Sequence, residues 1–150
     1  MKSKLLNPLA PRMHAVILEP GEELVECLTR FARENRLGAS QVSAIGAFSR
    51  AVLGFFDFST RKYKRIPVEE QAELLSLLGD ISLQGEEPKL HVHATLGRSD
   101  GSTRGGHLLE AIVNPTLEAI VTETPAYLCR SHDERSGLAL IDIDGGPRHG

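Results

Sequence analysis

The sequence predicts an α+β domain, a mainly antiparallel β-sheet with one principal helix packed on it. Three observations predict it. Apolar residues recur at helical spacing in one segment near the start, while the rest is a succession of short β-branched and aromatic runs separated by turns. The length, 150 residues, suits a single core, which usually serves roughly 100–200 residues. Hydrophobic residues make up 41% and charged residues 25%, the mixture of a globular chain rather than a disordered one.

The elements follow in order. Residues 1–12, with Pro8 and Pro11, read as an extended N-terminal arm, residues 13–142 as the domain, and residues 143–150, ending Gly145-Gly146-Pro147-Arg148-His149-Gly150, as a flexible tail. Residues 13–18 read as a short strand that Pro20-Gly21 breaks. Glu22-Glu23 then supply the acidic first turn of a helix. Leu24, Leu28 and Phe31 recur on its apolar face with Cys27 beside them, so Cys27 reads as packing rather than chemistry. Glu26 and Arg30 are spaced to pair on the outer side, and Gly38 reads as the stop. Residues 42–48 and 51–58 read as strands broken by Gly46 and Gly54. Ser59-Thr60-Arg61-Lys62 turns into a strand at 63–66, and 73–82, 89–97, 118–123 and 138–143 complete the set. Leu74-Leu75 and Leu77-Leu78 also fit helical spacing, but Gly79 and the flanking strands favour sheet.

Charge narrows the function classes. Seventeen Lys+Arg against twenty Asp+Glu leave a formal charge of −3, a handicap for a binder that relies on neutralising phosphates. The densest basic run, Arg61-Lys62-Tyr63-Lys64-Arg65 with Arg50 upstream, reads as a solvated hairpin whose charges discourage edge-to-edge pairing. No stretch approaches the roughly 18 apolar residues of a membrane span. The first residues include lysines but no apolar run, so no secretion signal is expected. Cys27 and Cys129 match no CxxC pattern and suit a reducing cytoplasm.

The histidines carry the chemistry. In Lys89-Leu90-His91-Val92-His93-Ala94-Thr95-Leu96, His91 and His93 stand two apart on a predicted strand and so share a face. Neutral imidazoles suit zinc and its neighbours. The third member, His107, depends on the turn between the strands. A three-residue loop Ser99-Asp100-Gly101, with Gly101 left-handed, places His107 opposite His93. A two-residue Asp100-Gly101 turn sets it opposite Ala94 and points it away, unless a bulge restores the phase. The plainer alternative is three polar strand residues. His14, His132 and His149 have weaker claims, and His132 in Arg130-Ser131-His132-Asp133 reads as part of a surface loop.

Several segments together resemble the prokaryotic form of the PPC ("plants and prokaryotes conserved") domain. They are Gly46-Ala47-Phe48-Ser49-Arg50-Ala51-Val52-Leu53-Gly54-Phe55-Phe56-Asp57, Glu73-Leu74-Leu75-Ser76-Leu77-Leu78-Gly79, His91-Val92-His93, Gly105-Gly106-His107-Leu108-Leu109-Glu110 and Ser136-Gly137-Leu138-Ala139-Leu140. The resemblance implies an α+β fold assembled as a homotrimer, and a divalent metal, commonly zinc, on the residues matching His91, His93 and His107. It also implies a DNA-binding role, because plant relatives join this domain to AT-hooks. The Arg-Gly-Arg-Pro core of an AT-hook is absent here. Its nearest echo, Gly146-Pro147-Arg148, lacks the paired arginines that read a narrow minor groove. Of the plant-type Gly-Arg-Phe-Glu-Ile-Leu motif, Glu73 and Leu75 match, while Glu70-Gln71-Ala72 replaces its first three residues.

The domain is also similar in structure to acetolactate decarboxylase, whose zinc is held by three histidines. That similarity supplies the rival expectation: a zinc-dependent decarboxylase or lyase acting on a small carboxylate or carbonyl compound bound at the metal, with Glu73, Glu110 and Arg104 as candidates to hold substrate or move a proton. With two Tyr and no Trp, few large residues are available to wall a pocket. The expectation that leads is a cytoplasmic, metal-binding homotrimer acting as a binding or regulatory module with a DNA-binding role.

Overall fold

Glutamate, rather than serine or aspartate, opens the single helix. In a computed structural model that describes residues 1–7, 11–124 and 128–143, α1 spans Leu24–Glu34 and is capped by Glu23, whose carboxylate accepts the Glu26 N–H at 2.6 Å. Its other oxygen accepts the Ala111 N–H at 2.9 Å, so one side chain both caps the helix and pins it to the sheet. Leu24, Cys27, Leu28, Phe31 and Ala32 are buried along one face. The expected stop at Gly38 is three residues late. The helix ends at Asn35, Arg36 takes a left-handed φ of 54°, and the Leu37 N–H returns to the Ala32 carbonyl at 2.9 Å. The expected Glu26–Arg30 pair also gives way. Arg30 points its guanidinium to the Cys27 sulfur at 3.3 Å, and burial raises the pKa of that thiol, as suits a packing residue.

Part of the N-terminal arm is itself a strand. β1 (Lys2–Asn7) pairs antiparallel with β2 (Met13–Leu18). β3 (Ala39–Asp57) runs 19 residues without the interruptions expected at Gly46 and Gly54. Instead its register shifts around Gly46, which has φ 154° and where a Cβ would stand 2.5 Å from the Thr116 carbonyl oxygen. Only glycine fits that approach. Beyond it the strand changes partners, pairing β5 (Ala72–Gln84) as far as Phe48 and β4 (Lys62–Val68) from Ala51. β6 (Glu87–Gly97) pairs β5 on one edge and β7 (Thr103–Glu123) on the other. β7 also pairs β3 and β2 along its 21 residues. A final hairpin, β8 (Cys129–Asp133) and β9 (Leu138–Asp142), joins the sheet through a short parallel contact between β5 and β8. The described strands thus form one mixed sheet, antiparallel except at that contact. The tail expected at 143–150, with its Gly146-Pro147-Arg148 echo and His149, lies outside the described residues after Ile143.

The helix packs on one face of this sheet. Phe31, Leu24 and Leu28 belong to one buried cluster with Phe48, Leu18, Leu53, Ile81 and Leu117, all 2% exposed or less. The segment with helix-like leucine spacing is strand, and a bulge explains the spacing. A register shift between Leu74 and Ser76 resets the alternation, so Leu74 and Leu77 are buried while Leu75 and Leu78 are exposed. On the side away from the core, Ile45, Leu75 and Leu78 are 59%, 52% and 57% exposed. No helix among the described residues is long and apolar enough to cross a membrane.

The β6–β7 loop sets the register on which the site depends. The Arg98 N–H donates to the Ser102 carbonyl at 2.9 Å, enclosing Ser99-Asp100-Gly101, and Gly101 has φ 79°. Nothing lies within 4 Å of a Cβ built there, so substitution strains the backbone alone. Gly101→Val is expected to cost about 1–3 kcal/mol in urea denaturation, and Gly101→Asn distinctly less. Equal stability of all three proteins would remove the requirement for a left-handed residue.

Candidate metal centre

β6 separates two chemistries by simple alternation. Leu90, Val92, Ala94 and Leu96 face the core, while His91, His93 and Thr95 face the other way. Of the two registers open to the sequence, the three-residue loop is the one found: His93 stands directly opposite His107, and Gly97 opposite Thr103. All three imidazoles therefore converge. Ring centroids are 5.2 Å apart for His91–His93 and His91–His107, and 5.4 Å for His93–His107. One nitrogen from each lies within 4.8 Å of the others. Among the described residues this is the one group of three or more such side chains with that geometry.

The protonation states suit a cation. Burial, followed by the neighbouring His91 and His93, lowers the pKa of His107 to about 4. Burial and His91 lower that of His93. Both rings are thus neutral at neutral pH, with lone pairs available for ligation. His107 Nδ1 is buried without a hydrogen-bond partner among the described residues, an arrangement that costs roughly 1–3 kcal/mol and that ligation would relieve. On these grounds the residues present fit a divalent metal.

Four further residues flank the cluster, and none was among the expected site residues. Tyr63, from β4, lays its ring 4.9 Å from that of His107, tilted by 31°. Gly54 makes room for it, since a Cβ there would come within 2.8 Å of the Tyr63 ring. The site therefore has a large wall after all, built from one of the two tyrosines. Asp80 stands opposite His91 in the β5–β6 ladder, its carboxylate 3.6 Å from His91 Nδ1. Arg130, from β8, donates to both Asp80 oxygens at 2.8 and 3.0 Å and to the Ser82 hydroxyl at 2.7 Å. Burial alone would raise the Asp80 pKa, but the polar groups of His91, Arg130 and Ser82 prevail and hold it at about 2. Asp80 was within reach of hairpin arithmetic, because a two-residue turn at Gly85-Glu86 fixes the pairing Gln84–Glu87 and hence Asp80–His91. Nothing in the sequence signals Arg130, which arrives through a parallel contact, Gln84 with Arg130, between segments far apart along the chain.

The other candidates lie elsewhere. Glu110 pairs with Arg65 at 2.6 Å, and Arg104 donates to the Pro67 carbonyl at 3.3 Å. Glu73 is opposite Gly97 at the far end of the hairpin from Asp80. His14 is buried edge-on against Phe31, with ring centroids 5.2 Å apart. His132 is exposed in β8 rather than in a loop, and Asp133 accepts the Ser136 N–H at 3.0 Å instead of orienting it. The basic run does lie on a solvated hairpin edge, with Arg65 held by Glu110 and Arg61 donating to the Arg135 carbonyl.

Comparison with known proteins gives a consistent picture. Residues 7–125 match the model of the Plants and Prokaryotes Conserved (PCC) domain. A crystal structure of a candidate DNA-binding protein from Bacteroides thetaiotaomicron is similar with a TM-score of 0.86 and 33% identity, over 89% of this chain and 93% of that one. A metal-containing protein from Archaeoglobus fulgidus is similar with a TM-score of 0.81 and 32% identity, over 93% and 96% of the two chains. A Staphylococcus aureus protein described as similar to α-acetolactate decarboxylase shares the fold, with a TM-score of 0.56 and 14% identity over 81% of this chain and 53% of that one. Among curated sequences, the bifunctional protein GlmU of Synechococcus sp. (strain JA-3-3Ab) is 32% identical over 136 residues, 89% of this chain. The chain spans 21% of the length of the curated relatives it matches.

Neutral buried imidazoles make stability depend on pH. Unfolded histidine takes up a proton near 6.5, whereas folded His107 resists until about 4. The unfolded state therefore binds more protons between those values, and stability falls as pH drops through that window. Chelator-treated protein is expected to show a lower urea midpoint at pH 4.5 than at pH 7, with His107→Leu narrowing the gap. A gap of the same size in the variant would refute this assignment.

Proposed function

The chain belongs to the Plants and Prokaryotes Conserved domain family, and we propose that it is a metal-binding module in which His91, His93 and His107 hold one divalent cation, zinc by preference. The observation that carries this reading is the convergence of three imidazoles with ligand atoms within 4.8 Å. A purely nitrogen donor set without a carboxylate suits zinc among the common divalent ions. The metal-containing description of the similar Archaeoglobus protein points the same way.

The reading includes assembly as a homotrimer, supported by the exposed Ile45, Leu75 and Leu78 on the side of the sheet away from the helix. A DNA-binding role has support from the description of the similar Bacteroides protein. Against it stand the formal charge of −3 and the engagement of Arg61 and Arg65 with protein groups.

A second reading, a metal-dependent lyase acting on a small carboxylate or carbonyl compound, is favoured by one observation. The cluster offers three ligands, and His93 is exposed, which leaves room for an exogenous fourth. A zinc ion with such an open position polarises a carbonyl or activates water. This chain's own contribution is to present two neutral rings and to shield His107 with Tyr63.

Stripped protein reloaded with zinc is expected to carry one ion per chain by elemental analysis, and His93→Ala to lose it. No uptake by the wild-type protein would end the reading. Light scattering should return three times the chain mass of 16.4 kDa, a monomer refuting the trimer. Gel shifts at two salt concentrations decide the DNA role, since phosphate-driven binding weakens as salt rises. Absence of binding at low salt removes it.

A further inference from the structure

We propose that Arg130 and Asp80 are positioning residues that hold the His91 ring in line with His93 and His107. The C-terminal β8–β9 hairpin, which lies beyond the family match at 7–125, thereby completes the cluster. This inference rests on the histidine group being a cation site.

The geometry is that of a clamp. Arg130 is 6% exposed and every arm of its guanidinium is used. Nε donates to Ser82 Oγ at 2.7 Å, Nη1 to the Ala139 carbonyl at 2.9 Å, and Nη2 to Asp80 at 2.8 and 3.0 Å. The same Nη2 lies 3.2 Å from His91 Nδ1. Ser82 Oγ in turn donates to Asp80 Oδ1 at 2.9 Å. β8 runs parallel to β5 with Arg130 beside Gln84, and the side chain reaches back along that strand past Ser82 to Asp80.

Such an arrangement exceeds what is needed to attach a hairpin. The Ala139 contact binds β8 to β9, but the Nη2 contacts are spent on the Asp80 carboxylate, which stands 3.6 Å from an imidazole in the cluster. With Nδ1 of His91 turned toward this pair, Nε2 is the nitrogen left for a cation. A neutral ring ligating through Nε2 carries its proton on Nδ1; Arg130 can only donate, so the Asp80 carboxylate, 3.6 Å away, is the acceptor that proton faces. Arg130 and Ser82 fix that carboxylate in place. Rotation of His91 out of line breaks these contacts.

The test compares Asp80→Asn, Arg130→Met and Arg130→Lys with Leu138→Ala, which loosens the same hairpin without touching His91. Zinc dissociation constants come from competition with a chromophoric chelator, and thermal melts report folding. In metal-free protein, side-chain ¹⁵N–¹H spectra report the His91 tautomer. Asp80→Asn and Arg130→Met are expected to weaken zinc binding about 10- to 100-fold, Arg130→Lys less, and Leu138→Ala less than threefold. In Arg130→Met the His91 resonances should move from one tautomer to a mixture. If Arg130→Met does not fold, Asp80→Asn and Arg130→Lys decide. Zinc affinities within twofold of wild type in the folded variants would overturn the inference and leave the cation site standing. If the wild-type protein takes up no zinc, the proposed function falls. The His91 resonances then decide positioning alone, and an unchanged tautomer in the variants overturns it.

Discussion

Residues that face each other across a β-ladder must emerge on the same side of the sheet, and the site rests on that constraint. The loop Ser99-Asp100-Gly101 sets His93 against His107. A slip of one residue would set His107 against Ala94 and turn its ring toward the core that Leu90, Val92 and Leu96 occupy. Leu108 and the core side of β7 would turn outward in the same movement. The hydrophobic pattern that stabilises the sheet and the polar pattern that builds the cluster are thus two halves of one alternation, and each holds the other in register.

The helix and the cluster divide the sheet between them. α1 covers one face of β6 and β7, so side chains on the other face need not pack a core and are free to carry imidazoles, a carboxylate and a guanidinium. Glu23 fastens the helix to Ala111, four residues along β7 from His107. Gly46 lets the long strand β3 shift register without stopping, so that its second half carries β4 and brings Tyr63 over Gly54. Tyr63 is therefore positioned by two glycines that have no side chain to contribute.

Local features were legible in the sequence, and distant ones were not. The helix start, the alternation through His91 and His93, and the consequences of each turn length followed from neighbouring residues. The bulge at Leu74–Ser76 mimicked helical spacing because inserting one residue converts a period of two into a local spacing of three. Gly38 looks like a stop in sequence because glycine normally carries the left-handed conformation, which Arg36 adopts here. β1 and β8 carry too few apolar residues in sequence to announce themselves, and β8 is recruited by parallel pairing, which no turn encodes. Arg130 therefore has no local signature, whereas the histidines beside it do.

Tyr63 stands against His107 on one flank, and the Arg130–Asp80 pair occupies the side of His91. His93 is the exposed member, and its neighbour across the ladder is Leu78, more than half exposed. Among the described residues, the open side of the three rings is therefore the one over His93. That side lies over the middle of β6, where an imidazole and an isobutyl group stand shoulder to shoulder.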